Sequence, residues 1–161
     1  AWVLETAGQY WVAERVTSGT RSISNNLSIR NAGTIRHPEV VEFAINQGWC
    51  QSEEDFDFAQ IFSSYFVSDA PSPHSREGKV RQLCQLNRGK FSVETAQSIL
   101  RDHDGGVCMH GAFVTAGSQI SALSEKGDQH WFIQQPHPCQ QDYQPVSFSQ
   151  SRSHVSSVIQ S

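Results

Sequence analysis

Residues 2–13 read Trp2-Val3-Leu4-Glu5-Thr6-Ala7-Gly8-Gln9-Tyr10-Trp11-Val12-Ala13. Two aromatic and β-branched runs flank Gly8-Gln9. Glycine at the first position of a two-residue loop suits a type II′ turn, so residues 1–17 are expected to form a β-hairpin. Glu5 and Glu14 are expected to mark its wetter end. A strand that starts at residue 1, with no turn before it, reads as a segment of a larger domain.

Outward from the hairpin, Ile23, Leu27 and Ile29 stand at even spacing, which fits a short strand or an extended loop. Pro38 is placed to open a helix at its first turn. Val40, Val41, Ala44 and Ile45 form its apolar face, and Gly48 caps its end. Asp55 is expected to cap a short second helix with Phe58, Ala59 and Phe62 on one side. A loop at 68–75 precedes a polar helix over 76–87, with Val80, Leu83 and Leu86 inward and Gly89 ending it. Ser92 caps a further helix facing Val93, Ala96, Ile99 and Leu100 inward, ended by Asp104-Gly105-Gly106. Strands are expected at 112–116, 118–123 and 130–134, and Pro136, Pro138 and Pro145 impose an irregular extended stretch after them. Residues 150–161 form a Ser-rich tail without a core pattern. Hairpin, strand, helices and strands in that order describe an α+β fold with antiparallel sheet.

The 161 residues suffice for one core, yet only 37% are apolar, which points to core supplied from elsewhere or to a disordered part. The net charge is −4 and Lys and Arg never cluster, so the electrostatic footprint of a nucleic-acid binder is missing. No apolar run has membrane-spanning length, and the N-terminus lacks signal-peptide features. Cys50, Cys84, Cys108 and Cys139 include no CxxC pair, so free thiols in a reducing compartment, the cytoplasm, are the expectation.

Generic catalytic motifs are missing: no phosphate-binding Gly-rich loop, no HExxH, no GxSxG. His103, Cys108 and His110 lie close together but supply three candidates where zinc needs about four. Neither a metal nor a cofactor is therefore expected. Cys108-Met109-His110 also raises a thiol nucleophile with an adjacent base, a geometry that sequence neighbours seldom reach. Arg101-Asp102-His103 closes the Ser92 helix, where cations complement the helix dipole. Asn25 and Asn26 follow Ser22-Ile23-Ser24. Their carboxamides are suited either to an oxyanion or to a turn.

The order of these segments resembles the secernins. The resemblance rests on residues 1–8, Tyr10-Trp11 and Arg21-Ser22-Ile23-Ser24-Asn25-Asn26-Leu27-Ser28-Ile29, then on Ile99-Leu100-Arg101-Asp102 and Gly106-Val107-Cys108-Met109. Thr115-Ala116, Ile120-Ser121-Ala122-Leu123 and Pro136-His137-Pro138 continue it. It covers most of residues 1–146, with 64–90 matching poorly, and makes 1–149 a partial secernin-like domain. Secernins group with the C69 dipeptidases among the N-terminal nucleophile hydrolases. The resemblance therefore implies part of an αββα sandwich, cysteine-type hydrolysis of peptide or amide substrates, and no cofactor. By motif order it implies catalytic roles for Asn25, at the oxyanion, and Arg101, ordering the nucleophile or substrate. Ala1 carries no thiol and all four cysteines are internal, so the nucleophile is not in this chain and the chain alone is expected to be inactive. The alternative that the family implies is a non-enzymatic protein acting in regulated exocytosis.

Overall fold

A computed structural model describes residues 1–68 and 70–147. Strands β1 (Trp2–Ala7) and β2 (Tyr10–Arg15) pair antiparallel with Ala7 opposite Tyr10, leaving Gly8-Gln9 as a two-residue loop. Gly8 has φ +61° while Gln9 does not have positive φ, the combination of a type II′ turn. A strand of two residues, β3 (Ile35–Arg36), pairs with β2 and completes a three-stranded sheet of order β1-β2-β3. Gly33, at φ +73°, makes the approach to β3 possible, since a Cβ there would lie 2.8 Å from the Ala13 carbonyl oxygen.

Side-chain alternation gives this sheet two faces. On one, Tyr10 and Val12 pack with Ile29, Val40, Val41, Ala44 and Phe58 into the main core. Glu5 sits on that face too. It is only 9% exposed, not at a wet end as its sequence context suggested. Its carboxylate accepts from the Ser28 amide and hydroxyl and from the Ile29 amide, so the cost of burying the charge is offset by three donors. This interaction also explains why residues 21–29 run as an extended loop: two of their amides are taken by a side chain rather than by a neighbouring strand.

Helix α1 (Val40–Asn46) follows Pro38 and buries Val40, Val41 and Ala44, with Ile45 left 38% exposed at the rim. Gly48 ends it at φ +72°, its amide reaching the Ile45 carbonyl while Trp49 reaches Ala44. Helix α2 (Phe58–Phe62) is capped by Asp57, not Asp55: Asp57 Oδ1 accepts from the Gln60 amide at 2.9 Å and Oδ2 pairs with Arg30. Helix α3 (Arg76–Leu86) starts at Ser75 and buries Gly78 and Cys84. Leu86, expected inside, lies in the final turn at 73% exposure. Ser92 caps helix α4 (Val93–Leu100) through the Thr95 amide, and Ile99 is its buried residue.

Strands β4 (Ser118–Ala122), β5 (Gln129–Ile133) and β6 (Gln144–Val146) form a second antiparallel sheet of order β4-β5-β6. Pro145 is accommodated because β6 is an edge strand, where a missing amide costs no ladder bond on the outer side. Residues 112–116 do not form the expected strand and keep one bridge, His110 to Val114. Thr115 folds the segment back instead: its hydroxyl accepts from the Met109 amide and donates to the Val107 carbonyl. Among the described residues, two small antiparallel sheets and four α-helices make an α+β arrangement. The tail at 150–161 lies outside the described residues. Among the described residues no helix is long and apolar enough to cross a membrane.

Candidate functional site

Asn25 and Arg101 have different partners. Asn25 lines a polar cleft of about 530 Å³ between the 21–30 loop and the start of α3, with Arg21, Arg76, Glu77 and Arg81 among its walls. Arg76 Nη2 donates to Asn25 Oδ1 at 2.6 Å, and Ser24 Oγ donates to Glu77 Oε2 at 3.2 Å. Because a guanidinium only donates, it fixes the carboxamide oxygen toward Arg76 and leaves the Asn25 NH2 as the group able to donate to an incoming acceptor. Arg21 is engaged with Glu14 and with the Ser28 hydroxyl.

Arg101, at the end of α4, does not line that cleft. Its Nε donates to the Pro138 carbonyl at 3.2 Å and its Nη2 to the Gln141 carbonyl at 2.6 Å, while the guanidinium lies 5.1 Å from the Tyr143 ring centroid. It thereby ties the 3-10 turn Pro138–Gln140, which carries Cys139, to the loop that follows α4. His137 enters this turn at φ +60°, a left-handed conformation that costs a non-glycine residue roughly 1–2 kcal/mol. Its amide is held by the Thr115 carbonyl at 3.1 Å.

The turn brings together residues that sequence order keeps apart. Ligand-type atoms of His103, Cys108, His110 and Cys139 all lie within 4.8 Å of one another. His110 Nε2 is 3.5 Å from Cys108 Sγ and 3.1 Å from Cys139 Sγ. The backbone around them is closed by several bonds: the Cys108 amide to the Asp102 carbonyl at 2.8 Å, Gly106 to the His103 carbonyl at 3.0 Å, and Gly105 to Asp102 Oδ1 at 2.8 Å. Lys79 on α3 pairs with Asp102 and Asp104 from the other side. His137 stacks on His110 with centroids 4.4 Å apart, and His103 meets it edge-on at 5.0 Å. Among the described residues, His137 Nδ1 is buried without a hydrogen-bond partner.

Partial desolvation lowers the His110 pKa below the usual imidazole value, and the neighbouring His137 and His103 add to the effect. Desolvation raises the Cys139 thiol, with a further contribution from its hydrogen bond to Cys108. The three candidates His103, Cys108 and His110 were visible in sequence. The fourth, Cys139, carries no spacing signal because it lies 29 residues beyond His110. All four cysteines are free thiols in this structure. Comparison with known proteins returns neither a matching family model nor a matching solved structure.

Proposed function

We propose that this chain is part of a secernin-like homologue of the C69 dipeptidases, a cytoplasmic hydrolase of peptide or amide bonds whose nucleophilic cysteine lies outside these 161 residues. The observation that carries this reading is the two-faced first sheet. One face is covered by α1 and α2. The other presents Leu4, Ala13 and Ile35 in register, with Trp2 at its end; Trp2, Leu4 and Ile35 are 52%, 61% and 51% exposed, while Ala13 between them is buried. Helices on one side and exposed apolar side chains on the other fit the layering expected of half an αββα sandwich, in which a second sheet would cover that face.

Within this reading the Asn25 cleft binds substrate. Its volume falls in the range of small-molecule sites. Arg76 and Arg81 offer cations for a peptide carboxylate, Glu77 offers an anion for an amine, and Asn25 offers its NH2 to the carbonyl that develops negative charge. Arg101 acts through position, holding the end of α4 against the second sheet.

The test is dipeptide hydrolysis by a longer protein whose processed N-terminus is cysteine, compared with Asn25→Ala in the same protein. Loss of an oxyanion donor lowers kcat by roughly 100–1,000-fold with little change in KM. Unchanged kcat in Asn25→Ala removes Asn25 from the reaction. Hydrolysis by the 161-residue chain alone overturns the assignment of the nucleophile to other sequence.

A further inference from the structure

The geometry points to a structural zinc site formed by His103, Cys108, His110 and Cys139, a site independent of the hydrolase reading. Two thiols and two imidazoles are the donor set that Zn²⁺ takes in closed tetrahedral sites. Zinc–sulfur bonds of about 2.3 Å and zinc–nitrogen bonds of about 2.0–2.1 Å place the corners of such a tetrahedron about 3.3–3.8 Å apart. The His110–Cys108 separation of 3.5 Å falls within that range, the His110–Cys139 separation of 3.1 Å just below it, and no pair among the four exceeds 4.8 Å. Closing the widest pair takes a shift of about 1 Å, within the rotamer reach of two exposed imidazoles.

The ligands are also pre-positioned. The Asp102–Cys108 loop is closed by its own backbone bonds and by Lys79, and the Cys139 turn is fixed by Arg101 at Pro138 and Gln141. Such outer contacts orient metal ligands wherever a site is built rather than accidental. Binding converts two thiols and Zn²⁺ to a neutral Zn(thiolate)₂(imidazole)₂ centre and releases two protons to solvent. Four protein ligands leave no open coordination position. The ion therefore acts as a cross-link between the loop after α4 and the turn between β5 and β6, and not as a Lewis acid.

The experiment uses the full 161-residue chain, purified with a thiol-free reductant, loaded with zinc, and passed through gel filtration. The expected result is one zinc per chain. Cobalt in its place should give the visible bands of a tetrahedral ion and a near-ultraviolet thiolate-to-cobalt charge-transfer band. Cys108→Ser, Cys139→Ser and His110→Ala should each lose the charge-transfer signature or weaken binding by more than about 100-fold, while Cys84→Ser keeps both. Zinc should also shield Cys108 and Cys139, but not Cys50, from iodoacetamide. Circular dichroism of each variant separates loss of a ligand from loss of the fold, and His103→Gln, at an exposed position, gives a second ligand test in a chain expected to stay folded. Sub-stoichiometric zinc in the folded reduced chain, or full zinc retention by a Cys108→Ser/Cys139→Ser double variant, overturns the site.

Discussion

His110 Nε2 lies 3.1 Å from Cys139 Sγ although 29 residues separate the two in sequence. The approach depends on Arg101, which is not a neighbour of either in the chain. Its guanidinium bonds the carbonyls of Pro138 and Gln141, on both sides of Cys139, and so holds the turn against the loop after α4.

Arg101→Ala should therefore release the Pro138–Gln140 turn. Two charge-assisted bonds to carbonyls are lost, at about 1.5–3 kcal/mol each before relaxation. An unfolding free energy lowered by about 2–4 kcal/mol in urea titration is expected. Zinc affinity should fall by about 10–100-fold, the scale of an outer-shell loss. Arg101→Lys should rescue only in part, because an ammonium cannot reach two carbonyls with one planar fork.

Glu5→Ala should be among the most destabilising changes in the first sheet. It leaves the Ser28 and Ile29 amides without their acceptor in a region that is largely buried. A loss of about 3 kcal/mol is expected by denaturant titration. Glu5→Gln should cost less, since its amide oxygen still accepts from one of the donors.

Gly33→Ala tests the junction between β2 and β3. The added methyl would sit against backbone oxygens of Ala13 and Ile35, and φ of +73° is unfavourable for alanine. Destabilisation of about 1–3 kcal/mol is expected, with faster amide exchange at Ile35 and Arg36.

Val12→Ala removes a side chain that is fully buried at the centre of the main core. Loss of two methyl groups plus the residual cavity should cost about 2–4 kcal/mol in equilibrium unfolding.

Cys84 should alkylate more slowly than Cys50 near neutral pH. Burial raises its pKa above the ordinary thiol value, so its reactive thiolate form is scarcer and appears only as pH rises further. Cys50 is also raised, by desolvation and by Asp55, but is less buried. Mass-spectrometric labelling rates with iodoacetamide should order Cys50 ahead of Cys84. The reverse order would contradict this account.

Some of the fold was legible because local chemistry decides it. Gly8-Gln9 between two β-branched runs sets the hairpin and its register, and Ser92 before Val93 sets the start of α4. Gly48 ends α1 through a left-handed glycine that no other residue type fills as well. Other elements were not legible because they have too few residues to show a period. β3 has two residues and β6 three, one of them Pro145, so only pairing with β2 and β5 makes them strands. Asp57 displaced Asp55 as a cap through a contact with Arg30, a residue distant in sequence.

The sequence by itself determined the hairpin turn, the Ser92 and Gly48 caps and the α+β character, and it singled out three of the four His/Cys cluster residues while expecting no metal there. Tertiary structure alone decided that Glu5 is buried, that Asn25 and Arg101 take different partners, and that Cys139 completes the cluster. The physical reason is range. Turns and caps are decided by backbone geometry and hydrogen bonds a few residues apart. A buried carboxylate and a four-ligand cluster depend on donors and thiols that meet only after distant segments pack.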